Sequence, residues 1–511
     1  MKRYTLKTAR NNSVVPAIVD DNGADHALHS LFDPQKEAER LLGVRKDEGF
    51  LVFLGLGGGF SVAQALACDK GVRLVLIVDY GREGLEELFS VIDYSSILSD
   101  PRVFLLIDPA AVEIEAFILE RYQPALMNGM RVFPLRARID VESAPFRAAE
   151  AAINGALKKV SADYSVQAHF GLRWFSNIIQ NIQNIKNMGL ARKDAGQARW
   201  RDCFSERSVK CASITAAGPS LDRSLPLLRE QRTRRFIIAT DTSLPALLAA
   251  GVEPDAVVSI DCQLWSYNHF FRRTRAPLFL DLASPPALAE RSSAPYFFSG
   301  GHPLSRLFSR AGTNMPELDV SGGNVTYAAV SLAEALGAET VELFGADFSY
   351  PSGAAYARGT WLHPFYGKRQ NRFSPAETFF SHLIYRTPLE KRYADGSWRY
   401  ETPTLAMYRA KLEERQWAPQ KTPRGAAHSS AALDAAHSAE FLAAYREKLR
   451  SLSFRRLFDD QRLVDDQRLD PKDAVVIATL LPAAAALRHR EPELAGERLL
   501  EATREWCMKR L

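Results

Sequence analysis

A multidomain α/β fold is predicted from three observations. First, short β-rich runs at Ser213–Thr215, Arg235–Thr240 and Ala256–Ile260 alternate with helical patterns, one from Leu221 and one ending at Gly251. Strand, loop, helix in repetition is the rhythm of a parallel sheet. Second, each run ends on a turn bearing small polar or acidic residues: Gly218 and Ser220, then Asp241, then Asp261. Ligands bind beyond the carboxyl ends of such strands, so these four residues are expected along one rim. Ser, Asp and Gly also serve as ordinary caps and turn residues, but three such ends in succession favour a site. Third, 511 residues are enough for two to four domains.

Composition narrows the class. Hydrophobic residues make up 46% and charged residues 24%, as in ordinary globular protein. The net charge of +5, from 65 basic and 60 acidic residues, is too small to point to nucleic acid. No apolar run approaches the roughly 18 residues that a membrane span needs. The start, Met1–Asn12, has no apolar core of a signal peptide. Cys68, Cys203, Cys211, Cys262 and Cys507 are scattered, without a close pair. That predicts a cytoplasmic protein with no disulfide framework and no zinc site.

Taken in order, residues 1–150 read as a Rossmann-like α/β domain. A lead-in carries a helix near Pro34–Leu42. The strand Phe50–Leu54 runs into Gly55-Leu56-Gly57-Gly58-Gly59-Phe60, then a helix at Ser61–Cys68. The strands Arg73–Val78 and Val103–Ile107 end on Asp79 and Asp108. A Gly-rich turn lets backbone N–H groups approach a phosphate, and an acid ending the next strand suits a ribose. A purely structural turn fits the same residues. Residues 151–205 form a helical connector, in which Trp174, Ile178, Ile182 and Ile185 follow helical spacing and Asn177, Asn181 and Asn184 line another face. Lys193–Arg201 reads as a boundary.

The central domain spans 206–415. Further strands are expected at Leu278–Leu282 and Tyr296–Ser299. Ser321-Gly322-Gly323-Asn324 opens a helix over Thr326–Leu336 that Gly337 closes. Free N–H groups at that helix start suit a phosphate; an N-cap with close helix packing is the other reading. The strand Thr340–Phe344 ends in Gly345-Ala346-Asp347-Phe348. After it, residues 349–375 are aromatic and basic without a period, which reads as a lid loop. Tyr393–Ser397 reads as a hairpin turn, and Thr402 and Pro403 start a helix. Residues 416–511 form a helical C-terminal domain, introduced by a linker from Gln416 to about Ala435 and carrying a charged run at Arg455–Asp470.

These motifs, in this order and spacing, resemble the Maf (motility-associated factor) glycosyltransferases. The resemblance rests on Ala217-Gly218-Pro219-Ser220, Asp241-Thr242-Ser243, Ser259-Ile260-Asp261, Ser321–Asn324 and Gly345–Phe348. The same central domain is similar to an archaeal hydroxymethylpterin pyrophosphokinase and, more distantly, to the bacterial sialyltransferases that use a CMP sugar. The likeness implies transfer of a nonulosonic acid (pseudaminic or legionaminic type) from its CMP ester to Ser or Thr of flagellin. It implies no obligatory cofactor, though Mg²⁺ could sit among Asp241, Asp261 and Asp347. By likeness, Ala217, Gly218, Pro219, Ser220, Asp241, Thr242, Ser321, Gly322, Gly323, Asn324 and Asp347 hold the nucleotide. Ala217 and Asp241 stand where the sialyltransferases carry Asn. Tyr350 and Tyr356 keep the six-residue separation of the tyrosines that hold the leaving phosphate in those enzymes. His363, His382 or Asp261 would take the acceptor's proton. Two alternatives stand: an ATP- and Mg²⁺-dependent pterin pyrophosphokinase, and a non-catalytic flagellin-binding assembly factor.

Overall fold

The computed structural model describes residues 3–20, 22–43, 47–68, 71–187, 204, 209–292, 295–313, 315–394, 396–415, 438–455 and 471–511. The boundary at Lys193–Arg201, the linker from Gln416 and the charged run beyond Arg455 lie outside them. The chain folds as two units. The first takes in Met1–Leu172, Ser451–Pro471 and Leu480–Cys507; the second takes in Arg173–Arg450, Lys472–Thr479 and Met508–Leu511.

The first unit opens with an antiparallel sheet that the sequence did not suggest: β1 (Tyr4–Thr8), β2 (Val14–Val19) and β3 (Asp25–Ala27). The helix Pro34–Leu42 follows because Asp33 caps it. The Asp33 carboxylate accepts the N–H groups of Gln35 and Lys36, both at 3.1 Å, and Pro34 fills the first turn. Next come β4 (Phe50–Leu54), β5 (Leu74–Asp79), β6 (Val103–Ile107) and β7 (Met130–Pro134), all parallel, in the order β6-β5-β4-β7. Every residue of β4 and β5 is buried. Their continuous apolar runs are what a parallel strand covered on both faces requires, and a separate apolar cluster lies on each face.

The helix Ser143–Asn187 runs for 45 residues, and its part from Arg173 belongs to the second unit. Helices Ser438–Ser451, Pro471–Arg490 and Gly496–Met508 make the C-terminal region helical. Within the first unit, Gly171 meets Pro482. A Cβ on Gly171 would lie 1.7 Å from the Pro482 carbonyl oxygen, so only glycine fits there.

The second unit is built on a parallel six-stranded sheet: β8 (Cys211–Thr215), β9 (Phe236–Thr240), β10 (Ala256–Ser259), β11 (Leu278–Asp281), β12 (Pro295–Phe298) and β13 (Thr340–Phe344). The order is β12-β11-β10-β9-β8-β13. The chain steps outward from β8 to β12, then returns to the far side of β8. Strand order therefore reverses between β8 and β13, where an open α/β sheet leaves its ligand crevice. The helix Val325–Ala335 crosses β8, β9 and β10 and is buried from Thr326 to Glu334, which explains its near-continuous apolar sequence.

Residues 349–375 are not the structureless loop expected. They give β14 (Tyr350–Pro351) and a short helix, Leu362–Gly367, and a second helix follows at Ala376–Tyr385. β15 (Glu390–Ala394) and β16 (Ser397–Glu401) form the expected hairpin, and β14 adds to it in the order β14-β16-β15. Ring contacts order the segment. Tyr366 stacks on Phe379 at 5.4 Å and meets Phe380 edge-on at 4.9 Å. Such contacts carry no sequence period.

Candidate functional site

The crevice begins where β8 and β13 part. The Ala216 N–H donates to Phe344 O and the Gly218 N–H to Gly345 O, both at 2.8 Å. Two glycines make this closeness possible. A Cβ on Gly218 would lie 2.4 Å from Asp347 Oδ2, and one on Gly345 (φ 71°) would lie 2.3 Å from Ala216 O. Asp347 Oδ2 accepts the Ser220 N–H at 2.8 Å. It thereby satisfies a first-turn amide of the helix Leu221–Glu230. Phe348 follows at φ 44°, a conformation bulky residues rarely adopt. Strain of this kind is held where surrounding structure fixes the turn.

From there the chain crosses the rim. The Ala357 N–H donates to Ala217 O at 2.9 Å. Gly359, at φ 90°, passes so close that a Cβ would lie 3.2 Å from the Ala246 Cα. Trp361 then stacks on Trp265, beyond β10, at 5.9 Å and 21°. The segment thus spans the strand ends from β13 to β10.

The acids of β9 and β10 stand at the same strand ends. Asp241 is buried: its Oδ2 accepts the Ser259 hydroxyl at 2.6 Å and its Oδ1 the Thr242 N–H at 2.6 Å. Asp261 is open to solvent on one side, and its Oδ1 accepts the Gln263 N–H at 2.9 Å. Burial of the rest of the carboxyl raises its pKa, and the charge of Asp241 adds to the rise. His269 belongs to the short helix Leu264–Phe270. Its ring meets Trp361 edge-on at 6.1 Å, and both carboxylates act on it. Burial holds its pKa below the usual histidine range, against the pull of the two acids.

A second cluster joins Tyr350 and Tyr356. Burial raises the pKa of both phenols, and the positive charge of Arg386 opposes the rise in each. Tyr366 also acts on Tyr356. Arg386, which sequence reasoning missed, lies thirty residues beyond Tyr356 and is brought back by the helix Ala376–Tyr385. His363 packs against Phe380 at 4.9 Å, with a buried Nε2 that has no hydrogen-bond partner among the described residues. His382 is exposed on the helix Ala376–Tyr385.

The turn at Ser321–Asn324 has less to offer a ligand than its sequence suggests. The Ser321 N–H donates to Asp319 Oδ1 and the Gly323 N–H to Val320 O, both at 2.9 Å. Asn324 caps its own helix, accepting the Tyr327 N–H at 3.0 Å. The capping reading therefore accounts for most of the turn. Among the described residues, the N–H groups of Gly322 and Asn324 alone in this turn have no partner. The three carboxylates considered for Mg²⁺ do not converge, since Asp347 turns to Ser220. Among the described residues no group of three or more His, Cys, Asp or Glu stands together to hold a metal.

Two of the connector asparagines are structural. Asn177 Nδ2 donates to Cys262 O at 3.1 Å and Ala283 O at 2.8 Å. Asn181 Nδ2 donates to Leu282 O and Ser284 O, both at 2.8 Å. They tie the loops beyond β10 and β11 together at the rim.

The Gly-rich turn of the first unit is filled by its own neighbours. The Gly58 N–H donates to His29 Nε2 at 2.8 Å, and the Tyr94 hydroxyl donates to Gly57 O at 2.6 Å. Asp79, the acid suited to a ribose, instead accepts the Leu56 N–H at 2.7 Å and pairs with buried Arg138 at 3.1 Å. Asp108 accepts the Gly81 N–H at 2.7 Å and the Arg82 N–H at 3.2 Å, at a helix start. The structural reading of this turn holds.

Residues 176–353 match the family described as 6-hydroxymethylpterin diphosphokinase MptE-like. Three proteins of Treponema pallidum (strain Nichols), each called an uncharacterized protein, are 38% identical over 118 residues, 32% over 117 and 28% over 158. These alignments take in 23%, 22% and 28% of this chain, and 42%, 48% and 40% of the relatives. The chain thus spans less than half the length of these relatives. A solved Maf glycosyltransferase from Magnetospirillum magneticum AMB-1 matches with a TM-score of 0.54 at 15% identity, over 100% of this chain and 91% of that one.

The fold is that of a Maf glycosyltransferase. Within that fold the chain carries an MptE-like central domain.

Proposed function

We propose that this chain is a glycosyltransferase that moves a nonulosonic acid from its CMP ester to Ser or Thr hydroxyls of flagellin in the cytoplasm. One observation carries the reading: two tyrosines and an arginine cluster on the segment that leaves the β8–β13 crevice. Phenols and a guanidinium suit a departing phosphate, whose growing charge they would stabilise. On this reading the nucleotide would lie beside the Gly218–Ser220 turn and Asp241, at the ends of β8 and β9. The donor's anomeric carbon is tertiary and bears a carboxylate, so bond breaking runs ahead of bond making and builds positive charge. Asp241 and Asp261 favour that charge. Donor and acceptor come from the family likeness.

The test is intact-mass analysis of flagellin incubated with the purified protein and CMP-activated nonulosonic acid. A sugar-sized mass gain with release of CMP is expected, and neither should occur with Tyr350→Phe, Tyr356→Phe. An unmodified flagellin together with no stabilisation by CMP would sink the reading.

A second reading is favoured by the MptE-like match and the paired acids of β9 and β10: diphosphate transfer from ATP to a pterin. There Mg²⁺ would arrive with the ATP phosphates. Thermal stabilisation separates the two, because a ligand of the native state raises its apparent stability. CMP acting without metal supports the sugar transferase. ATP, Mg²⁺ and pterin acting only together support the kinase. Stabilisation by none of them leaves a non-catalytic flagellin-binding role.

A further inference from the structure

A hydroxyl acceptor must lose a proton as its oxygen attacks, and two of the three groups the sequence offered stand badly for this. His363 has its ring against Phe380, on the side of the tyrosines that would hold the leaving group. His382 is exposed, and no contact among the described residues ties it to the rim. The structure brings a third histidine forward. The charges of both rim acids act on His269, its ring meets Trp361 edge-on, and its Nδ1 is buried with no hydrogen-bond partner among the described residues.

An unsatisfied buried polar atom calls for an explanation. A neutral imidazole has one N–H and one bare nitrogen. Buried N–H groups without a partner are rarer than under-satisfied acceptors, so the proton belongs on Nε2 and the lone pair on Nδ1. That nitrogen is buried, so a substrate hydroxyl would supply the missing partner only on entering beside the ring. Resting on the transferase reading, we infer that His269 Nδ1 is the proton acceptor for the attacking hydroxyl, with Asp261 and Asp241 stabilising the imidazolium that forms.

The step balances. The acceptor oxygen bonds to the anomeric carbon of the donor, and its proton passes to Nδ1. The carbon–oxygen bond to the phosphate breaks, and its electron pair leaves with CMP. Burial keeps the free imidazole neutral and able to accept. Asp241 from the end of β9 and Asp261 from the end of β10 are the charged groups that act on the ring; Trp361 covers it without charge.

The test pairs His269→Gln with Asp261→Asn in the full chain. With CMP donor and flagellin, His269→Gln should lower kcat about 10²- to 10⁴-fold, the range for general acid–base catalysis. It should also abolish the acid limb of the pH–rate profile while CMP stabilisation and the unfolding midpoint stay near wild type. A full acid limb in His269→Gln, whatever its rate, overturns the assignment. An independent readout serves where the wild type transfers no sugar. That readout is the His269 imidazole titration by NMR. Asp261→Asn removes a neighbouring negative charge, so the His269 midpoint should fall. An unmoved midpoint means that the carboxylate does not face the ring, and the inference fails with or without transferase activity.

Discussion

Asp347, three residues past the last sheet strand, accepts the backbone N–H of Ser220, at the helix that follows the first. One carboxylate thereby closes the far side of the crevice onto its near side. Asp347→Ala should lower stability by about 1 kcal/mol, the usual loss for a removed cap. Gly218→Ala should cost more, because its Cβ would meet both Asp347 Oδ2 and Gly345 O within 2.5 Å. Urea unfolding midpoints check both; equal midpoints would contradict the crowding argument.

Arg138 and Asp79 form a fully buried ion pair, with Arg138 also donating to Tyr80 O at 2.5 Å. Removing one partner strands a buried charge. Arg138→Met should therefore destabilise the first unit by about 3–5 kcal/mol. Because Asp79 also accepts the Leu56 and Tyr80 N–H groups, at 2.7 and 2.8 Å, the double change Arg138→Met, Asp79→Asn should recover part of that loss. A double variant no better than the single one would mean that packing, not charge, explains the damage.

Asp281, at the end of β11, is fully buried, and burial lifts its pKa to about 7. Its unfolded value is about 3.9. A folded pKa raised in this way contributes stability that is complete below pH ~4 and is lost as pH rises to about 7. Asp281→Asn should remove that loss, so its stability relative to wild type should be better at pH 8 than at pH 5. His302 works in the opposite direction: burial drops its pKa to about 3. Its contribution is complete above pH ~6.5 and is lost as pH falls toward about 3. Unfolding curves at closely spaced pH values for wild type, Asp281→Asn and His302→Gln would separate the two.

On the proposed transferase function, Arg386→Ala should weaken CMP binding roughly 10-fold or more, in keeping with about 1.5–3 kcal/mol for a charge-assisted hydrogen bond. It should also raise the titration midpoints of Tyr350 and Tyr356 further, since the opposing positive charge is gone. Ultraviolet difference titration of the phenols reads this without any substrate.

The sheet of the second unit was legible because most of its strands are short apolar runs punctuated by Gly, Ser and Asp. The helix Pro34–Leu42 was legible because Asp33 and Pro34 announce its start. β1 and β3 were not, because they are short and largely polar at the surface. Residues 349–375 gave no period because aromatic contacts from distant segments set their structure. Long-range partners of the polar groups were hidden for the same reason. Asp79 meets an arginine 59 residues away, and Arg386 and His269 join their clusters only once the chain has folded.

The filled turn around Gly57 and Gly58 has a consequence for stoichiometry. Both units have strand orders that reverse beside their first β4- or β8-type strand, and so both have the geometry for a nucleotide crevice. In the first unit His29, Tyr94 and Arg138 take up the donors and acceptors that a nucleotide would use. Calorimetric titration with a nucleotide should therefore saturate at one equivalent per chain, and substitutions around Gly58 should change the heat of unfolding without changing that number.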